Sequence, residues 1–442
     1  MTNLAWNIER VLPSAIADLH KLISIPSISS MPEHDADVAA CAEAVAGLFQ
    51  DLGASEVKFL EGGGKPAVWA NFPGPEGTPT VLLYAHYDVQ PTGDTDAWTS
   101  PAFEPTERDG RLYARGSADD KGGVALHVAA LRVFDGKPPV GVKVFIEGEE
   151  EVGSPSMPTL LDRYRDELAA DVYVVADSVN WEVGKPSLTT SLRGVADCQV
   201  TVYTLAEGLH SGQFGGVVPD ALTALCRLLA TLHDDAGNVA IEGLVTGTAP
   251  DLDYPEDRLL EETGLLEGVS QTGDGSVVER MWFKPAASVL AIDATPVAKA
   301  SNTLIPSARA KVSVRLVPGQ DPAAAAKALE EHLRRNAPWG AHVDVVAGQC
   351  GAPGRITLEG ERAEAAKTAF REAFGVDAVE IGCGGSIPIV AEFADRNPDA
   401  LVLVTAVTDP NSRMHGIDES LDLGDFAKAA LAETLLLNNL AG

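Results

Sequence analysis

Four glutamates crowd into five positions of the segment "VKVFIEGEEEVGSPS", where Glu147, Glu149, Glu150 and Glu151 follow directly on an apolar run. A solvated charged loop is the ordinary fate of such a cluster, so its meaning depends on what else the chain delivers. In "VLLYAHYDVQP" His86 and Asp88 stand two residues apart, hence on one face of a strand. A lone histidine at a strand end is commonly structural, but a carboxylate at i+2 is placed to accept the ring N–H that a metal-bound imidazole leaves unused. In "ARGSADDKGG" Asp119 and Asp120 lie where a Gly-rich turn feeds a helix beginning near Lys121. One aspartate there reads as a helix N-cap; a phosphate loop is excluded, since GxxxxGK[ST] is missing and the loop is acidic. "DVYVVADS" ends a third apolar strand on Asp177, and "VTDPNSRMHG" ends a fourth on His415.

Two imidazoles among several carboxylates suit zinc or a similar first-row ion, whereas calcium and magnesium favour all-oxygen sets. Two such ions sharing a bridging carboxylate, about 3.5–4 Å apart, can hold a hydroxide between them and polarise a substrate carbonyl. One glutamate must then stay free of metal, to take the proton from water and return it to a leaving amine.

These residues need a scaffold that gathers them. Helical periodicity near residues 4–24 and 36–52 leads into β-branched runs at "PAVWANF" and "TVLLYAHYD", a helix-like "KGGVALHVAALRVF", and the strands "VGVKVFIEG" and "DVYVVADS". The alternation returns in "TAFREAFGVDAVEIGCGG", "IPIVAEFAD", "ALVLVTAVTD" and "DFAKAALAETLLLNNLA". Both ends therefore read as α/β with a mostly parallel sheet. In such a sheet ligands collect outside the carboxyl ends of the strands, where the five segments would meet. Between the two ends the texture changes to β-rich "SLRGVADCQVTVYT", amphipathic "PDALTALCRLLATLH", a Gly/Asp-rich stretch, "ARAKVSVRLVP" and "PAAAAKALEEHLRR". This pattern predicts an inserted α+β domain at 191–349, flanked by the two parts of the first domain at 1–190 and 350–442.

With 442 residues and 45% hydrophobic content the chain can bury the cores of two or three domains. Thirty-three basic against 64 acidic residues give a formal charge of −31, which repels nucleic acid and anionic membrane surfaces. No apolar run approaches the length that spans a bilayer. The start carries acids and bases in an amphipathic pattern, so no signal peptide is expected. Five scattered cysteines without a CxxC pair argue against a disulfide framework or a thiolate zinc site. Cytoplasm is the expected compartment.

Taken together, the segments resemble the di-zinc metallopeptidases that include carnosinase-like dipeptidases, aminoacylases, glutamate carboxypeptidases and succinyl-diaminopimelate desuccinylases. That family's pattern is H-x-D, then G-x-x-D-[DN]-K-G, then E-E-x-G-S, then a strand-ending acid, then a late His followed by an acid pair. Here these are His86-Tyr87-Asp88, "GSADDKG", "EEVGS", Asp177 and "HGIDE", spread over nearly the whole chain. The resemblance implies a zinc-peptidase catalytic domain and an inserted lid and dimerisation domain. It also implies two divalent ions per chain, zinc or else manganese or cobalt, and hydrolysis of a dipeptide's amide bond next to a free carboxylate. It makes Asp119 the bridging ligand, His86 and Asp177 ligands of one ion, and Glu151 and His415 ligands of the other. Glu150 is then the general base, with Asp88 beside it among the catalytic residues. A cis peptide bond between Asp119 and Asp120 is implied as well. Glu147 and Glu149 fall outside the motif and are expected to be solvated or to support the ligands from behind.

The segment "GLHSGQFGGVVPDAL" resembles the lid through which these enzymes dimerise. His210 matches a residue that in related dipeptidases crosses to the partner's site and steadies the oxyanion. Thr303 in "NTLIP", Arg315 in "VSVRLVP" and Ser386 in "GGSIP" match positions that hold the substrate's carboxylate end. One departure bears on substrate range: carnosinase-like relatives carry a second histidine shortly after "GAP", near the place of Gly360 in "GAPGRITLEGER". An N-acyl amino acid deacylase of the same family is the alternative activity. Asp177 favours the dipeptidase branch, since several deacylases and carboxypeptidases have Glu there. A non-catalytic metal-binding protein would have no need of Glu150 beside an intact ligand set.

Overall fold

The computed structural model describes residues 3–385 and 387–442. Its long strands are β1 (Glu56–Leu60), β2 (Ala67–Phe72), β3 (Thr80–His86), β4 (Gly141–Glu147), β5 (Val172–Val179), β6 (Gly194–Tyr203), β7 (Ala286–Asp293), β8 (Ser307–Leu316), β9 (His342–Gly351) and β10 (Leu401–Thr408). The principal helices are α1 (Asn3–Ile23), α2 (Asp35–Asp51), α3 (Lys121–Val133), α4 (Ala221–Ala230), α5 (Pro322–Arg335), α6 (Glu361–Phe374) and α7 (Leu423–Asn439). The chain divides into two compact units, one reaching to Thr190 and resuming at Ile356–Ile381 and Ile387–Gly442, the other made by Ser191–Arg355 with a short return at Gly382.

The first unit is built on a six-stranded sheet in the order β1-β2-β4-β3-β5-β10. β4, β3, β5 and β10 run parallel, while β1 and β2 add an antiparallel edge. The apolar run of β3 is buried from Val81 to His86, as expected of a strand covered on both faces. α3 is buried along almost its whole length, and α1 and α7 pack against it. The crossover from β3 through α3 to β4 returns each strand in the same direction, so that β3, β4, β5 and β10 point their carboxyl ends to one edge.

The second unit is an antiparallel sheet in the order β7-β8-β6-β9. Alternate residues make its core: Ala196, Cys198, Val200 and Val202 from β6, and Ala308, Ala310, Val312, Val314 and Leu316 from β8. This period of two is the mark of a sheet with one buried face. α4 and α5 close that face with Ala221, Ala224, Leu225, Leu228, Ala325, Leu329 and Leu333, spaced by three and four. Asp220 and Asp321 cap these helices through Thr223 N and Ala324 N. Among the described residues no helix is long and apolar enough to cross a membrane.

Candidate metal centre

His86 is the last residue of β3, and the strands beside it bring acids to its level. The parallel pairing of β3 with β5 runs from Val81↔Val172 to Tyr84↔Val175, and the same offset sets Asp177 level with His86. Asp177 lies within β5 and not at its end. The β5–β10 ladder is irregular there: Val404 faces Val175, Ala406 faces Ser178 and Thr408 faces Val179, so an extra residue on β5 is followed by an extra residue on β10 and the register is restored. Asp177 thus lies next to a local break in the ladder, a kind of feature found beside functional sites.

Asp119 sits in the turn before α3, and its peptide bond to Asp120 is cis. Asp120 caps α3 by accepting from Gly123 N at 3.2 Å, and also accepts the His86 N–H at 3.2 Å. It thereby ties the start of the helix to the end of β3. Glu150 and Glu151 open a single turn, Glu150–Val152, after β4. Their main-chain N–H groups donate to the two oxygens of Asp88, at 3.2 and 3.1 Å. His415 follows β10 in a loop where it takes a left-handed conformation, φ 61°.

The Asp119 carboxylate reaches both histidines, with Oδ1 at 3.2 Å from His86 Nε2 and Oδ2 at 3.1 Å from His415 Nε2. His415 Nε2 is also 3.2 Å from Glu151 Oε2. Two potential ligand groups result: His86 with Glu150 and Asp177, and Asp119 with Glu151 and His415, the donor atoms within each lying within 4.8 Å of one another. The second nitrogen of His86, Nδ1, lies 3.0 Å from the main-chain oxygen of Asp88 and 3.4 Å from its carboxylate. A proton on Nδ1 leaves Nε2 as the ligating atom. The expected carboxylate partner of that ring is thus mainly a carbonyl, and the Asp88 carboxylate is engaged in holding the Glu150–Glu151 turn.

The electrostatics of the cluster call for added positive charge. Burial first, and then the charges of Glu151, Asp119 and Asp88, push Glu150 up to about 7 against the pull of His86. Burial and the neighbouring acids drive Asp177 well above the usual carboxylate range. Hydrogen bonds to Asp119 and Glu151 raise His415 to about 10. Burial opposes a charged His86, but Asp119 and Asp88 outweigh it and hold the ring well above its ordinary value. For Asp119, likewise, the two imidazoles overcome burial and keep the carboxyl low. Glu150 and Asp177, whose side chains take no imidazole hydrogen bond, are pressed toward neutrality despite the charge of His86, and both imidazoles toward the cation. Imidazole nitrogens and carboxylate oxygens in this mixture fit divalent first-row ions, which would supply the missing charge.

Glu147 and Glu149 are not solvated; both are buried. Glu147 accepts from the Tyr84 hydroxyl, and burial pushes it up to about 8. Glu149 accepts from Lys65 N at 2.7 Å and from Ser156 N and Oγ. Gly148 between them is required by a close approach, since a Cβ there would lie 2.2 Å from the Tyr87 hydroxyl oxygen. Gln90 escaped the sequence reading although it stands two residues beyond Asp88 on the same alternation; its amide donates to Glu151 Oε2 at 2.8 Å. Glu419, the acid that closes "HGIDE", makes a buried ion pair with Arg115 at 2.6 Å, and Arg115 carries no signal of that pairing in its own segment.

His210, Thr303 and Arg315 belong to the second unit. His210 and Thr303 face each other across a short antiparallel pair, Leu209–His210 with Thr303–Leu304, and both are exposed. Gly212 N donates to His210 Nδ1 at 3.1 Å. Arg315 lies on β8 opposite Val195 and Ala286. Burial, and then the charge of Arg315, bring the nearby Arg193 guanidinium down to about 10. Among the described residues neither arginine pairs with a carboxylate. Ser386 lies outside the described residues.

Residues 82–439 match the model of peptidase family M20/M25/M40. The chain is similar to the cysteinylglycine-S-conjugate dipeptidase of Corynebacterium striatum, 35% identical over 98% of this chain and 96% of that one. It superposes on the dipeptidase Dug1p of Saccharomyces cerevisiae with a TM-score of 0.87 at 25% identity, covering 100% of this chain and 98% of the other. Human carnosine dipeptidase 1 shares the fold, with a TM-score of 0.85 at 24% identity over 99% and 98% of the two chains.

Proposed function

The chain belongs to peptidase family M20/M25/M40, and from that premise we propose that it is a dinuclear zinc dipeptidase cutting the amide bond next to a free carboxylate. The observation that carries this reading is the Asp119 carboxylate, which turns one oxygen to His86 and the other to His415. Asp119 would bridge two ions, His86 and Asp177 hold one, and Glu151 and His415 hold the other. When bound, such a pair of ions supplies an acidified water and a polarised scissile carbonyl.

Glu150 is the base. It is the acid beside Glu151 that this reading leaves free of metal, as a proton acceptor must be. It takes a proton from water as the water oxygen bonds to the carbonyl carbon, and delivers it to the amine nitrogen as the C–N bond breaks. Asp88 keeps Glu150 and Glu151 in register by holding their N–H groups. Arg315, with Thr303 and Ser386, receives the substrate carboxylate, a reading supported by Arg193 and Arg315 standing without an acid partner among the described residues in a chain of charge −31. His210 acts on the partner subunit's site in a homodimer, consistent with its exposure. A cytoplasmic setting accords with five free cysteines.

Cys-Gly-type dipeptides are the first substrates to test, by similarity to the Corynebacterium striatum enzyme. A panel of dipeptides and N-acyl amino acids on zinc-, manganese- and cobalt-loaded protein decides the activity. Cleavage of dipeptides and not of N-acyl amino acids is the expected result; the reverse pattern makes the protein a deacylase, and inertness with every metal removes the reading.

A further inference from the structure

Glu419 follows His415 by four residues and is fully buried. Its carboxylate accepts four donors. Oε1 takes Ala118 N at 3.0 Å and Asp119 N at 3.1 Å; Oε2 takes Gly116 N at 3.1 Å and Arg115 Nη1 at 2.6 Å. Three of the four are main-chain groups of the loop that ends on Asp119. Arg115 in turn donates from Nη2 to Pro91 O and to Gly416 O, each at 3.2 Å, and lies over the Trp98 ring. The main chain closes the link in the other direction, with Ala114 N donating to Glu419 O at 3.0 Å.

The segment on the other side of this junction has an uncommon shape. Arg413, His415 and Asp418 have φ of 53°, 61° and 58°, left-handed values that non-glycine residues keep only when their surroundings over-determine them. Asp418 is held by Thr99 N at 2.9 Å and Thr99 Oγ1 at 2.7 Å, and Glu419 supplies the next anchor. His86 and Asp177, by contrast, ride on β3 and β5, whose ladder fixes their level without Glu419.

We propose that Glu419 is a positioning residue that sets the Asp119–His415 half of the site, so that its loss weakens chiefly the ion held by Asp119, Glu151 and His415, and much less the ion at His86 and Asp177, which shares Asp119 but keeps two ligands carried by the sheet. The proposal rests on the dinuclear reading given above. It differs from a plain buried ion pair, in which Arg115 alone would matter. Partners that orient metal ligands from behind typically carry about 10–100-fold in metal affinity.

The test is a cobalt(II) titration of metal-free wild type and Glu419→Gln, followed by visible absorption and by competition with a chelator. Glutamine keeps the size but presents an NH₂ to at least one of the four donors. Wild type should bind two ions. In Glu419→Gln one ion should weaken by about 10–100-fold and change its absorption band, with the other within about threefold. If Glu419→Gln does not fold by circular dichroism, the Arg115→Met/Glu419→Gln double variant, which leaves no unpaired buried charge, takes its place; the selective loss should persist there. Two ions bound as in wild type, or both weakened alike, would overturn the positioning role. A wild type that binds a single ion would instead overturn the dinuclear reading on which it rests.

Discussion

Replacing Asp88 tests whether its carboxylate holds the catalytic turn. Asp88 is fully buried, and both of its oxygens accept from the turn, Oδ1 from Glu150 N and Oδ2 from Glu151 N. Asp88→Ala orphans both donors. An N–H left without an acceptor costs roughly 1–3 kcal/mol when buried. Glu150 and Glu151 are only half-buried, so the low end applies, and the pair amounts to roughly 2–3 kcal/mol. At about 2–4 °C per kcal/mol for a unit of this size, the midpoint should fall by roughly 4–12 °C. Asp88→Asn keeps one acceptor and should lose about half as much. Differential scanning calorimetry on metal-free protein gives the shift without a contribution from metal binding. Turnover of the loaded enzyme should fall by about 100-fold in Asp88→Ala, because Glu150 moves with its backbone. A variant that melts within about 1 °C of wild type and keeps its kcat would refute the argument.

Glu150→Gln should abolish turnover and keep both ions, whereas Glu151→Gln should lower metal content; elemental analysis after dialysis distinguishes them, and the opposite pattern would put the base one residue further on. His210→Ala and Glu150→Gln should each be nearly inactive, the first by about 10²–10³ through lost oxyanion stabilisation. Mixed and allowed to exchange, they should recover roughly a quarter of wild-type activity through hybrid dimers, and no recovery in a mixture shown by mass spectrometry to contain hybrids would end the cross-subunit role. His127 Nδ1 meets Glu433 at 2.9 Å and its Nε2 meets Tyr84 O at 3.0 Å. Burial opposes its charge, but Glu433 prevails and raises the imidazole. With the folded value above the unfolded one, the charged ring contributes stability in full below about pH 6.5 and loses it as pH rises through the folded value. Urea unfolding of wild type and His127→Gln should therefore show a larger stability difference at about pH 6 than at about pH 9; a difference that is flat or grows with pH contradicts the sign.

What could be read from the sequence divides by distance along the chain. His86 with Asp88, the Asp119–Asp120 pair and the Glu150–Glu151 pair are legible because each constellation is local: the first and third close apolar strand-like runs, and the second stands in a Gly-rich turn that opens a helix. The sheet was legible for the same reason, since β3, β5 and β10 are continuous apolar stretches. The antiparallel edge made by β1 and β2 was not, because an apolar pattern does not encode direction. Asp177 lies inside its strand beside a register irregularity against β10, a partner more than two hundred residues away, and no local pattern announces that irregularity.

The same logic applies to the glutamates outside the motif. The sequence leaves Glu147 and Glu149 open between solvent and a supporting place behind the ligands, and distant partners decide it: Glu147 is satisfied by Tyr84, 63 residues earlier, and Glu149 by Lys65 N, 84 residues earlier. Glu419 meets its loop across about three hundred residues. A buried carboxylate is affordable only where donors converge on it, and in this protein the donors come from distant elements. The chemistry-bearing residues are therefore written locally, while the groups that hold them within tenths of an ångström are written in the contacts of the fold. Variants of the second kind should leave every motif of the family intact and still disable the site.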